Sequence, residues 1–209
     1  MMHQLTDYLI MAPAILVALT IHEFAHGYIA YRLGDPTAKL SGRLSLNPLV
    51  HLDLLGTAML FIAGVGWAKP VPVNPQYFRQ PKRDLLWVSL AGPASNLFLA
   101  SLFGLGLRLF SDDAIYQMSM LVAMIWYGMS INIVLAVFNL IPIPPLDGSK
   151  ILFGLIPDRY ESKLSPLMKF GPTILIAVIL FGFITKKSIF SMVIKPFVQF
   201  FSRIFAGIS

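Results

Sequence analysis

From Tyr8 to Tyr31 the chain is almost continuously apolar, yet it carries His22, Glu23 and His26 inside that run. At about 20 apolar residues per crossing, such a run is a transmembrane helix. Two histidines four apart on a helix project from one face, one turn apart, so both imidazoles can reach one metal. Glu23 follows His22 directly. It can lean over the same metal without ligating it, as a general base for a metal-activated water must. Zinc suits two imidazoles and a carboxylate because it accepts mixed N and O ligands in a tetrahedron. The competing explanation, a chance H-E-x-x-H on a soluble helix, loses ground to the apolar setting. Ionisable groups at membrane depth are costly without a partner and mark functional sites.

The chain as a whole belongs to the membrane class. It is 56% hydrophobic and 12% charged, with a mean hydropathy of +0.73, which excludes an ordinary soluble domain. Several spans in 209 residues leave no space for a sizeable soluble domain. Cysteine is absent, so disulfides, thiolate zinc sites and cysteine catalysis are excluded. The formal charge of +6 fits cytoplasmic loops facing anionic lipid rather than nucleic-acid binding. The first apolar run has no small-residue cleavage site, so it is expected to be retained as a span and not removed as a signal peptide.

A first span is expected over about 5–33, closed by Gly34-Asp35-Pro36-Thr37. Residues 39–46 alternate polar and apolar, which predicts a short strand broken by Asn47-Pro48. The apolar part of 52–64 is about 12 residues, too short to cross and closer to a re-entrant segment. Pro70, Pro72 and Pro75 forbid helix and favour an extended edge strand. Further spans are expected over about 84–110, 118–141 and 167–184. A kink is expected at Gly92-Pro93, an acidic loop at Ser111-Asp112-Asp113 and a basic end at Lys186-Lys187. Beyond Ser188, a polar stripe of Ser188, Ser191, Lys195, Gln199 and Ser202, with Arg203 beside it, marks an amphipathic helix over about 188–207. It is read as interfacial, with a span whose stripe faces the bundle as the alternative.

Lys and Arg are absent from 111–117 and concentrated in 32–50, 67–83 and 142–169. If 52–66 dips in and returns, all the basic segments lie on one side, which should be cytoplasmic. His22, Glu23, His26 and Asp147 then sit nearer that side.

A catalytic zinc takes a third protein ligand besides water. Asp147 is the best candidate, ahead of His3, His51, Asp7 and Asp53. It follows a proline-broken helix end, and irregular backbone at membrane depth occurs where it lines a cavity. The alternative is an N-cap for the helix that starts at Gly148.

Three motifs now occur in order. They are His22-Glu23-Phe24-Ala25-His26, Gly92-Pro93-Ala94-Ser95-Asn96, and Asn139 to Gly148 as N-x-x-P-x-x-x-x-D-G. From about residue 5 to 156 the chain resembles the site-2 proteases, the intramembrane zinc metalloprotease family. The resemblance implies a mostly α-helical membrane protein with a three-helix catalytic core over 1–156. It also implies a short membrane-associated β-rich segment, placed at 38–80. In that family the Asp of the last motif is the third zinc ligand, here Asp147. The remaining 157–209 would hold a further span and the amphipathic helix. The chain looks like a minimal form, without space for a PDZ or CBS domain.

Asn96 and Asn139 are candidates for holding substrate backbone or an oxyanion, against interhelical hydrogen bonding. Asn132 is read as structural. His51 with Asp53 is either an accessory metal pair or, preferably, an interfacial hydrogen-bonded histidine. The Val71-Pro72-Val73 segment either adds a substrate strand or packs as an edge. The expected activity is hydrolysis of peptide bonds in or beside transmembrane helices, with one Zn²⁺ per chain. The expected partners are a transmembrane substrate, the lipid bilayer and a possible regulatory membrane protein. The expected location is the plasma membrane of a prokaryote, in multi-pass form. The rival is a non-catalytic metal-binding membrane protein or transporter, although no internal repeat favours a transporter.

Overall fold

The computed structural model describes residues 2–63, 66–110, 119–185 and 189–207. The expected features at Gly64, Ser111-Asp112-Asp113, Met118, Lys186-Lys187 and Ser188 lie outside those residues.

The long apolar runs form helices, as backbone in hydrocarbon requires. They are α1 (Met2–Arg32), α4 (Pro81–Leu107), α5 (Met120–Leu140), α7 (Glu161–Thr185) and α8 (Ile189–Ala206). Between α1 and α4 lie two short helices, α2 (Thr37–Leu40) and α3 (Leu54–Ala63). Between α5 and α7 lies α6 (Asp147–Leu155). Among the described residues, five helical segments are long and apolar enough to cross a membrane. Helix α4 packs between α1 and α5 and runs antiparallel to both. Helices α1 and α5 also touch, completing a three-helix core.

Lipid tails are as apolar as the helix surfaces, so close association depends on small residues and on polar contacts. A Cβ on Gly128 would stand 2.8 Å from the Phe103 ring, and one on Gly104 would stand 2.5 Å from Phe205 Cβ. Ala100, Leu107, Val122, Met129 and Ile133 are fully buried around these contacts. Lys82, at the start of α4, donates to Ile156 O (2.6 Å), Asp158 Oδ1 (2.5 Å) and Glu161 Oε1 (2.7 Å). That fork fixes the entrance of α4 to the junction between α6 and α7.

Two expectations are corrected. The β-rich re-entrant segment over 38–80 is not found. Among the described residues there is one isolated antiparallel bridge, Leu52 with Ala68, and no strand. Local side-chain capping overrides the alternating pattern. Asp35 accepts from Thr37 N–H (2.9 Å) and starts α2. Asn47 caps a 3₁₀ turn at Pro48–Val50 through Leu49 N–H (3.0 Å), and Asn74 caps another at Pro75–Tyr77 through Gln76 N–H (3.1 Å). Asx side chains offer the backbone such alternatives to a ladder. Pro70, Pro72 and Pro75 also remove donors a ladder would need.

The helix within 188–207 departs from both readings given for it, since it lies along the bundle with Lys195, Gln199 and Arg203 facing outward. Phe190 meets Phe138 at the end of α5, with ring centroids 5.3 Å apart. At its other end, Arg108 donates to Ile204 O (2.5 Å) and Phe205 O (2.8 Å). Helix α8 therefore lies along the bundle, antiparallel to α5, and not across its end. Phe190, Ile194, Val198, Phe201 and Phe205, at steps of three and four, pack on the core. Lys195, Gln199 and Arg203 stay exposed on the opposite side. The Arg108 cation also sits where the terminal carbonyls concentrate negative charge.

Candidate metal centre

Helix α1 presents His22 and His26 toward α4, as the four-residue spacing dictates, with ring centroids 4.6 Å apart and planes at 86°. Helix α4 approaches closely enough to hold them because residue 92 is glycine. A Cβ there would stand 2.5 Å from His26 Nε2 and 2.6 Å from His22 Cε1. One turn on, Asn96 is fully buried. Its Oδ1 lies 2.6 Å from His22 Nδ1, while its Nδ2 donates to Ala18 O (3.0 Å) and Asn132 Oδ1 (2.8 Å). Asn132 in turn donates to Gly128 O (2.8 Å).

These contacts fix both imidazole tautomers. Asn96 Oδ1 can only accept, so His22 Nδ1 carries the proton. His26 Nδ1 donates to Val88 O at 2.7 Å. In the neutral imidazoles both Nε2 atoms then present lone pairs, and both face Asp147 Oδ2, at 3.1 Å from His22 and 3.0 Å from His26. The two Nε2 atoms are 3.0 Å apart. His22, His26 and Asp147 are 4%, 9% and 6% exposed.

With both imidazoles neutral, three lone-pair donors face one another, an arrangement that a shared cation within reach of all three would stabilise. A tetrahedral zinc with bonds of about 2.0–2.2 Å sets its ligands about 3.4 Å apart. The triangle matches that to within a few tenths of an ångström. Among the described residues this is the one group of three or more potential ligands close enough to share an ion.

The chain after α5 delivers Asp147 to this point. Pro142, Pro144 and Pro145 prevent the helix from continuing, and the Pro144–Pro145 bond is cis. Helix α6 then starts hard against the end of α5. A Cβ at Gly148 would overlap the carbonyl oxygens of Leu140 and Ile141, so only glycine fits. The N-cap position of α6 falls on Leu146 and Asp147 is the first helical residue, so Asp147 is not the N-cap. Its other oxygen lies 3.6 Å from Lys150 Nζ.

Glu23 stands beside the triangle, half-buried. Its Oε2 accepts from Val71 N–H at 2.8 Å. The remaining expected residues fall elsewhere. Both hydrogens of Asn96 Nδ2 are already donated, so its geometry orients His22 and leaves no donor for an oxyanion. Asn139 donates back to Leu135 O of its own helix (3.0 Å) and takes no part in the cluster. His51 is buried against Ser45 O (2.7 Å), while Asp53 caps Gly56 N–H (2.7 Å), so the two do not form a metal pair.

Two participants escaped sequence reasoning. Asn132, read as structural, links Gly128 O to Asn96 and through it to His22. Asp35 is fully buried and accepts from Asn74 N–H at 2.7 Å, tying residues 70–75 to the end of α1. The Asp-Pro-Thr run was a usable signal, because Asp before such a turn captures a backbone amide two residues on.

The chain was compared with known proteins. A family model described as Peptidase family M50 matches residues 106–182, which contain α5 and the Asp147-Gly148 pair. A Bacillus subtilis protein provisionally named zinc metalloprotease YwhC is 43% identical over 176 residues, covering 80% of this chain and 77% of its own length. The Mycobacterium tuberculosis protein provisionally named zinc metalloprotease Rip2 is 34% identical over 175 residues, covering 79% of this chain and 64% of that protein. Zinc metalloprotease MJ0392 of Methanocaldococcus jannaschii is 23% identical over 189 residues, 89% of this chain and 46% of that protein. The chain thus spans less than two thirds of the last two. No solved structure matches the chain. On the identity and coverage shared with YwhC, and on the matched family model, this chain is a member of peptidase family M50, the site-2 protease family of zinc metalloproteases.

Proposed function

We propose that the chain is an intramembrane protease that hydrolyses peptide bonds within or next to transmembrane helices of other proteins. The observation that carries this is the triangle of His22 Nε2, His26 Nε2 and Asp147 Oδ2, buried between apolar helices and flanked by Glu23. Zinc held by His22, His26 and Asp147 would supply Lewis acidity toward the scissile carbonyl and acidify a bound water.

The chain's own residues do the rest. Asn96 and Val88 O hold the imidazoles with Nε2 inward, as outer partners of metal-ligating histidines do. Glu23 takes the proton of the attacking water and returns it to the leaving amine. With one carboxylate oxygen on Val71 N–H, the other is the atom for that transfer. A stable substrate helix hides its peptide bonds in intrahelical hydrogen bonds, so the preferred substrate is a single span with helix-destabilising residues.

Treatment of the purified protein with a strong zinc chelator should abolish cleavage of a tagged single-span substrate, and added zinc should restore it. Cleavage indifferent to chelation sinks the reading. A binding protein or transporter would hold zinc and cleave nothing.

The site is assigned to the cytoplasmic half of a prokaryotic plasma membrane, on the loop-charge asymmetry and on the antiparallel course of α1 and α4, which brings the basic segments 32–50 and 67–83 to one end of the bundle. Cysteines placed singly at the exposed Arg83 and Leu109, at opposite ends of α4, should label from opposite sides, Arg83 from the cytoplasm. Labelling of both from one side contradicts this topology.

A further inference from the structure

We propose that the backbone amide of Val71 is a positioning group for Glu23, held in place by a proline-framed strap over residues 69–74. The proposal deepens the protease reading and rests on it. Val71 N–H donates to Glu23 Oε2 at 2.8 Å. Pro70 and Pro72 flank it; Pro72 confines Val71 to extended backbone and Pro70 locks the φ one residue earlier, which narrows the directions the amide can take.

The strap is tied down on both sides of that amide. Lys69 N–H donates to His51 O at 2.8 Å, and the buried Arg43 donates to Lys69 O at 2.5 Å. Beyond it, Asn74 N–H donates to the buried Asp35 at 2.7 Å. The Val71 side chain is buried against α1, with its Cγ1 3.2 Å from where a Cβ on Gly27 would stand. Glycine directly after the second histidine lets the strap lie this close to the zinc helix.

A free glutamate on a helix surface samples several rotamers about three torsions. With Oε2 fixed by a rigid donor, Oε1 keeps one position relative to His22 and His26. General base catalysis depends on such geometry before anything else. Pro70 and Pro72 lack N–H groups, so the strap spends its one central donor on the base.

The test deletes that N–H. Val71→Pro removes it. Replacement of Val71 by its α-hydroxy acid, which turns the amide into an ester, removes it while keeping the side chain and shape. The expected result is a fall in kcat of about 10-fold or more in both N–H-deleted proteins, at unchanged zinc content and with KM within about 2-fold. An ester protein with wild-type or higher kcat overturns the proposal, and so does an ester protein whose loss lies in KM or in zinc content. If Val71→Pro does not fold, the ester decides alone. A wild-type protein that cleaves no span removes the protease reading and this proposal with it. A cleaving wild type with an equally fast ester variant removes the proposal only.

Discussion

Zinc content is expected to fall from about one per chain to background in the double variant His22→Ala/His26→Ala. A stable protein zinc site of the catalytic kind uses three side-chain ligands. The double change leaves Asp147 alone, and a lone carboxylate in a buried, weakly polar site does not retain the ion against water and buffer. The loss should be all or nothing, because the two Nε2 atoms and Asp147 Oδ2 lie within 3.1 Å of one another and serve one centre. Asp147→Asn should weaken zinc binding, since it keeps the shape but removes the anionic ligand. Metal analysis of folded, detergent-solubilised protein reads both. Undiminished zinc in the double variant would place the metal elsewhere.

Glu23→Gln is expected to keep its zinc and lose proteolysis by at least about 10²-fold, the lower end of what general acid–base catalysis contributes. Glutamine retains an oxygen for Val71 N–H, so the strap stays in place. It cannot accept the water's proton. Zinc retention follows because Glu23 contributes no atom to the ligand triangle. The opposite pattern, zinc lost and cleavage preserved, would make Glu23 a ligand and strip it of the catalytic role.

The grouping of His22, His26 and Asp147 was legible in the sequence wherever chain geometry leaves few choices. A four-residue spacing in an apolar helix puts His22 and His26 on one face whatever surrounds them. Asp147 was legible because prolines end α5 directly before it and Gly148 permits the close return. The amide of Asn96 was misjudged for a physical reason. The group can donate to an oxyanion or accept from an imidazole, and only the positions of Ala18 O and Asn132 decide between them. The alternation over 39–46 pointed to a strand, but a strand needs a partner ladder. Asp35, Asn47 and Asn74 instead offered the nearby amides closer acceptors. The direction of α8 was out of reach, because its apolar stripe fits either a bilayer surface or a neighbouring helix. The contacts of Phe190 with Phe138 and of Arg108 with the last carbonyls of α8 resolve it. Val71 escaped notice because its contribution is a backbone N–H, which no side-chain pattern records.

The most direct measurement is the position of the cut. Wild-type and Glu23→Gln proteins would be reconstituted in liposomes with zinc and a single-span substrate tagged at both ends, and the fragments weighed by mass spectrometry. The account predicts that the wild type produces a fragment pair ending inside or at the edge of the apolar segment, and that Glu23→Gln, equally loaded with zinc, produces none. Identical fragments from both proteins, or cuts confined to soluble regions of the substrate, would contradict it.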